Sequence, residues 1–251
     1  MNRKTYSRPS TLAFGVLVAT IATTRLATGQ TQKPSEEWQV TIAPYIWGAA
    51  MDGSMVIQGR EAQVDVSASD IFHHLDAGFM SMAAARKGNW GFGGDIVYVN
   101  LGISTDMPPA DVDPSLGLFT FQGLWRMSDF AELTFGLRYN RLDGQIDFDA
   151  PINMEVEKTR DWIDPIVGVV LRTPEGHRWH ATLIADVGGF GVGSDLTWQL
   201  FPSGGFKMSK HSSMEFGWRF LDTDYQTGEG SERFEYDMLL EGPVVGLAFR
   251  F

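Results

Sequence analysis

Cysteine is absent from the 251-residue chain. That removes disulfides and thiolate metal sites from consideration. Long hydrophobic runs are missing too: beyond residue 30 no stretch holds 18 consecutive apolar residues, which excludes a helical inner-membrane protein. Positive charge is scarce, with 20 Lys and Arg against 31 Asp and Glu and a formal net charge of −11. So acidic a chain repels phosphate backbones, so nucleic acid is not an expected partner.

What is present begins with the amino terminus. Arg3, Lys4 and Arg8 precede an apolar stretch from Thr11 to Thr24, and Ala27-Thr28-Gly29 follows with small side chains. The pattern reads as a secretory signal peptide over residues 1–29, too short to anchor in a bilayer. Four basic residues (Arg3, Lys4, Arg8 and Arg25) leave with it. The remaining domain, 30–251, carries 16 basic against 31 acidic residues, a net −15. Its length suits one β-barrel domain. Twenty-eight glycines, 8 Trp, 6 Tyr and 17 Phe point to strands, tight turns and aromatic belts.

Period-2 alternation is the main signal. At the carboxy terminus apolar residues fall at Val245, Leu247, Phe249 and Phe251. Met214, Phe216, Trp218 and Phe220 oppose Glu215, Gly217 and Arg219. Trp179, Leu183 and Val187 oppose His180, Ile184 and Asp186, and Leu133, Phe135 and Leu137 oppose Glu132, Thr134 and Arg138. In a membrane barrel the apolar rows face lipid; in a soluble sandwich they face inward. The leader and the terminal Phe favour the membrane.

Short turns are expected at 86–89, 127–129, 173–178 and 208–212. Longer acidic loops are expected near 104–114, 148–160 and 225–232, with a shorter one at 189–194. Basic residues sit at the short turns and acidic ones on the loops. Strands are read near 38–50, 77–87, 89–103, 115–126, 130–147, 161–173, 178–190, 195–208, 213–224 and 234–251, an even number that returns both termini to one side. The fold class is therefore an all-β, transmembrane, antiparallel up-and-down barrel of about ten strands, with eight or twelve as alternatives. Residues 51–76 form the first external connection, with a small hairpin and one helical turn capped by Asp70.

Several segments resemble a family of small outer-membrane β-barrel proteins of Gram-negative bacteria: Ala43-Pro44-Tyr45-Ile46-Trp47, Asp161-Trp162-Ile163-Asp164-Pro165, the run from Asp186 to Trp198, and Arg219-Phe220-Leu221-Asp222. The closing Gly246, Phe249 and Phe251 look like the insertion signal read by barrel-insertion machinery. The resemblance implies an outer-membrane location and contact with outer-membrane lipid and lipopolysaccharide, but no reaction.

Candidate chemistry lies on the inward faces: Asp95, Glu132, Arg138, His180, Asp186, Glu215 and Arg219. These charges either line a narrow path for solutes or pair with one another in a small lumen. His73, His74, His177, His180 and His211 show no nucleophile arrangement, and no catalytic, cofactor-binding or metal site is expected. The acidic sets Asp106, Asp111, Asp113 and Asp222, Asp224, Glu229, Glu232 match no defined calcium loop. The expected function is that of a monomeric, non-enzymatic barrel, structural or surface-exposed. A narrow channel for small or cationic solutes is the alternative, and a lipid-modifying enzyme the third reading.

Overall fold

The computed structural model describes residues 35–57, 60–106, 109–148, 154–174 and 177–251; the expected leader over 1–29 lies outside them. Among the described residues the elements are β1 (Gln39–Trp47), β2 (Ala50–Ile57), β3 (Arg60–Val66), α1 (Ala68–His73), β4 (Leu75–Lys87), β5 (Trp90–Leu101), β6 (Ile103–Asp106), β7 (Pro109–Arg126), β8 (Ala131–Phe148), β9 (Met154–Arg172), β10 (Trp179–Gly189), β11 (Leu196–Lys207), β12 (Ser212–Thr227) and β13 (Phe234–Arg250). A single 3₁₀ turn, Gly230–Glu232, links the last two strands.

Ten antiparallel strands close a barrel in the order β1-β4-β5-β7-β8-β9-β10-β11-β12-β13. Closure comes from β13 returning to β1, with Thr41 opposite Arg250, Tyr45 opposite Gly246 and Trp47 opposite Val244. Beyond Trp47 the same edge of β13 is taken over by β2, from Glu241–Ala50 to Phe234–Ile57, and β3 pairs outside β2. The first connection is thus a hairpin and a short helix, as its sequence suggested. The helix cap is different. Ser67, not Asp70, accepts the hydrogen bond from the Asp70 amide, and its hydroxyl donates to the Asp70 carboxylate at 2.7 Å. A hydroxyl at the cap position can serve both groups, whereas Asp70 lies inside the first turn.

A second difference concerns the acidic loops near 104–114 and 148–160. They are largely strand: the β7–β8 ladder continues from Arg126–Glu132 up to Ala110–Phe148, and β8–β9 continues to Phe148–Met154. Apolar alternation stops where the outer surface meets water, but backbone pairing does not depend on it, so the ladder runs on past the last apolar side chain. β12 likewise runs on to Thr227, into the connection expected at 225–232.

Side-chain direction follows the alternation. Ile46, Phe92, Phe121, Phe135, Trp179, Phe216 and Trp218 are exposed on the outer face, where no other described residue covers them. Cross-strand aromatic pairs reinforce this face: Trp90 stacks on Trp125 and Phe92 on Phe121, each with ring centroids 6.0 Å apart. A continuous apolar belt of this extent is unfavourable in water at about 25 cal/mol per Å² and needs an apolar surround. A cation in the middle of that belt tests it. Phe121→Lys is expected to lower stability in phosphatidylcholine vesicles by about 2–4 kcal/mol in urea titrations followed by tryptophan fluorescence. A loss within about 0.5 kcal/mol, the usual effect at a water-exposed position, would contradict the lipid-facing assignment.

Candidate functional site in the barrel interior

Inward-facing residues organise the interior into three layers. Towards the loop end lie two apolar clusters. Trp47, Val97, Leu118, Leu221 and Leu240 form one, and Trp162, Phe234, Tyr236 and Met238 form the other. Beside the second, Asp164 is fully buried. Its carboxylate accepts hydrogen bonds from Asn140 Nδ2 (2.8 Å), Trp162 Nε1 (3.1 Å), the Ser194 amide (2.6 Å) and the Ser194 hydroxyl (2.9 Å). The glycine-rich run after Asp186 makes this possible. Gly189, Phe190 and Gly191 all have positive φ, which folds the chain tightly enough to bring Ser194 back onto Asp164.

The middle layer is a polar network that crosses the lumen. Arg219 pairs with Asp95 at 2.7 Å and donates to Tyr45 Oη at 2.8 Å and to Gln199 Oε1. Tyr45 Oη in turn donates to Asp95 Oδ1 at 2.7 Å. Gln199 Nε2 donates to Asp186 Oδ2 (2.9 Å), and Arg138 donates to both Asp186 oxygens (2.8 and 3.1 Å). Arg138 also reaches Thr197 and Thr120. The connected groups come from β1, β5, β7, β8, β10, β11 and β12, seven of the ten barrel strands. Both guanidiniums are 1% exposed, and that of Arg219 lies 4.6 Å over the Trp47 ring.

The third layer lies at the turn end. Buried Glu132 meets three guanidiniums: Arg86 (3.0 Å), Arg172 (2.7 Å) and Arg126 (4.0 Å). On β10 and β12, His180 Nε2 lies 3.0 Å from each Glu215 oxygen, and Ser213 Oγ donates to Glu215 at 2.5 Å. A Cβ on Gly205 would come within 2.3 Å of Glu215 Oε2 and 2.4 Å of His180, so a glycine leaves room for this pair. Between this layer and the network is a cavity of about 570 Å³.

All seven charged residues singled out from the sequence point into the interior, in two groups. Arg219, Asp95, Arg138 and Asp186 share the network, while Glu132, His180 and Glu215 stand below it. Tyr45, Gln199 and Asp164 were not picked as site residues. Tyr45 and Asp164 lie in two of the segments that carry the family resemblance, but Gln199 gives no local signal. His177 and His211 lie on turn-end connections, and His73 and His74 at the exposed end of α1. Asp113 and Asp224 are placed on strands, whereas the side chains of Asp106 and Asp111 are outside the described set.

No protein-family model matches the chain, and no curated protein sequence matches it. Solved structures with a similar fold include Ail, the attachment invasion locus protein of Yersinia pestis, crystallised with the heparin analogue sucrose octasulfate (10% identity, 86% of this chain and 99% of that chain, TM-score 0.42). A Pseudomonas aeruginosa FadL homologue (9%, 85% and 89%, TM-score 0.37) and Neisserial surface protein A (9%, 85% and 97%, TM-score 0.32) are also similar. At these TM-scores the similarity carries no activity across.

The network has a measurable signature. Arg219→Met strands the Asp95 carboxylate and is expected to cost about 3–5 kcal/mol in a chemical-denaturation titration, with the Arg219→Met/Asp95→Leu pair recovering part of that loss. A single-variant cost below about 1 kcal/mol would mean that water solvates the layer and that the network does not close the lumen.

Proposed function

We propose that this chain is a monomeric, non-enzymatic outer-membrane β-barrel, structural or surface-exposed, whose interior does not conduct. The observation that carries the reading is the hydrogen-bonded layer from Tyr45 to Arg138, backed on the loop side by packed apolar clusters. A solute path through the lumen would have to break several charge-assisted bonds among buried groups at once. This weighs against the narrow channel for small or cationic solutes.

Orientation follows from the connections. In barrels of this kind the short turns face the periplasm and the longer excursions face outward. The outward apolar belt and the leader expected from the sequence support an outer-membrane location. Asp195, Asp224, Glu229, Glu232 and Glu235 then stand at the external end. At the other end Phe249 and Phe251 are exposed on the outer face of β13, beside Gly246, in the arrangement that barrel-insertion machinery would read.

The cluster of Ser213, Glu215 and His180 does not have the order of a hydrolase triad. A hydrolase needs the histidine between the serine and the acid. Here Glu215 stands between Ser213 and His180, and both bonds end on the carboxylate.

Two measurements test this reading. Purified protein in planar bilayers is expected to be silent, and steady cation-selective steps would replace the closed barrel with a channel. Deleting Phe251 is expected to reduce the outer-membrane fraction severalfold in cells while leaving refolding into detergent micelles intact. Unchanged cellular levels would remove the insertion-signal role.

A further inference from the structure

The turn-end cavity runs against the charge of the rest of the chain. The protein carries a net −11, yet the walls of the cavity present Arg86, Arg126, Arg172, Lys207, Lys210 and Arg250. The acids nearby are already engaged. Asp95 on the floor belongs to Arg219, and Glu215 is shared by His180 and Ser213. Glu132 is one carboxylate among three guanidiniums. Arg86 and Arg172 occupy its two oxygens, and Arg126 is left at the 4.0 Å margin. Those three side chains are only 20%, 25% and 23% exposed, so water screens their mutual repulsion incompletely.

The wall also changes character with depth. Deeper in, towards the network, the wall turns apolar: Leu124, Val170, Ile184, Phe201 and Val244. The volume of about 570 Å³ falls within the range of small-molecule sites, roughly 300–1,000 Å³.

We propose that this cavity is a binding site for a small amphiphilic anion, a carboxylate with a compact apolar body. The head is held by Arg126 and Arg172 and the body lies against Val170, Ile184 and Phe201. Guanidinium forks suit a planar carboxylate, which accepts two parallel bonds. The site is open to the turn end and needs no passage through the lumen, so it stands apart from whether the barrel conducts.

The test uses the barrel purified from membranes and placed in phosphatidylcholine nanodiscs, with empty discs subtracted, by titration calorimetry. Naphthalene-2-carboxylate, naphthalene-2-methanol and 2-naphthylmethylammonium share one apolar body and differ in charge; inorganic phosphate supplies an anion without a body. The carboxylate is expected to bind one to one, at least tenfold tighter than the alcohol, the ammonium or phosphate. Arg126→Gln, whose heat-modifiable gel migration reports that the barrel still folds, is expected to weaken the carboxylate at least fivefold and leave the alcohol unchanged. Equal binding of the three naphthyl compounds would reduce the cavity to an apolar sink. Phosphate binding as tightly as the carboxylate, or no effect of Arg126→Gln, would also overturn the proposal.

Discussion

Arg219 is the group on which the interior depends. Its guanidinium is fully desolvated, and its donors reach three strands besides its own: Asp95 on β5, Tyr45 on β1 and, through two bonds, Gln199 on β11, with the Trp47 ring beneath it. A buried cation is tolerated only when its partners are complete. The completeness here is what fixes the spacing of strands that are far apart in sequence. Through Gln199 the constraint passes to Asp186 and then to Arg138, so two arginines and two aspartates form one charge-balanced sheet of bonds across the lumen. The outer face is the complement of this arrangement. With the polar demand satisfied inside, the large apolar side chains of the outward rows face away from the lumen, where no other described residue covers them.

Much of the architecture was legible in the sequence because period-2 alternation is a local property. The rows of Trp218, Leu183 and Phe135 could be assigned to one face without knowing any partner strand, and the even strand number followed from alternating turn lengths. The limits of the strands were harder to read. Beyond the apolar belt β7, β8 and β9 continue as ladders of polar residues, and polar residues next to glycine and proline carry the same composition whether they loop or pair. The helix cap was misplaced by three residues because Ser67 and Asp70 are both good caps, and only the backbone decides which comes first.

The interior was legible in kind but not in pairing. Alternation sends Asp95, Arg138, Asp186 and Arg219 inward, yet which carboxylate meets which guanidinium depends on strand tilt and stagger. Tyr45 reaches Arg219 across 174 positions of sequence. Glutamine at position 199 is an ordinary polar residue on an inward row until Arg219 and Asp186 are seen on either side of it. The division of the lumen into an apolar half, a bonded floor and a basic vestibule is a property of layers, and no single strand contains it.

The edge of β13 serves β1 along its terminal half and β2 along the rest. The seam therefore joins the first described strand to the last, and it can zip only when both are present. Until then the growing sheet has two open margins and an uncovered greasy side, the combination that drives edge-to-edge association in water. In water, the open margins and the apolar side stay exposed until β13 meets β1 and closes the seam.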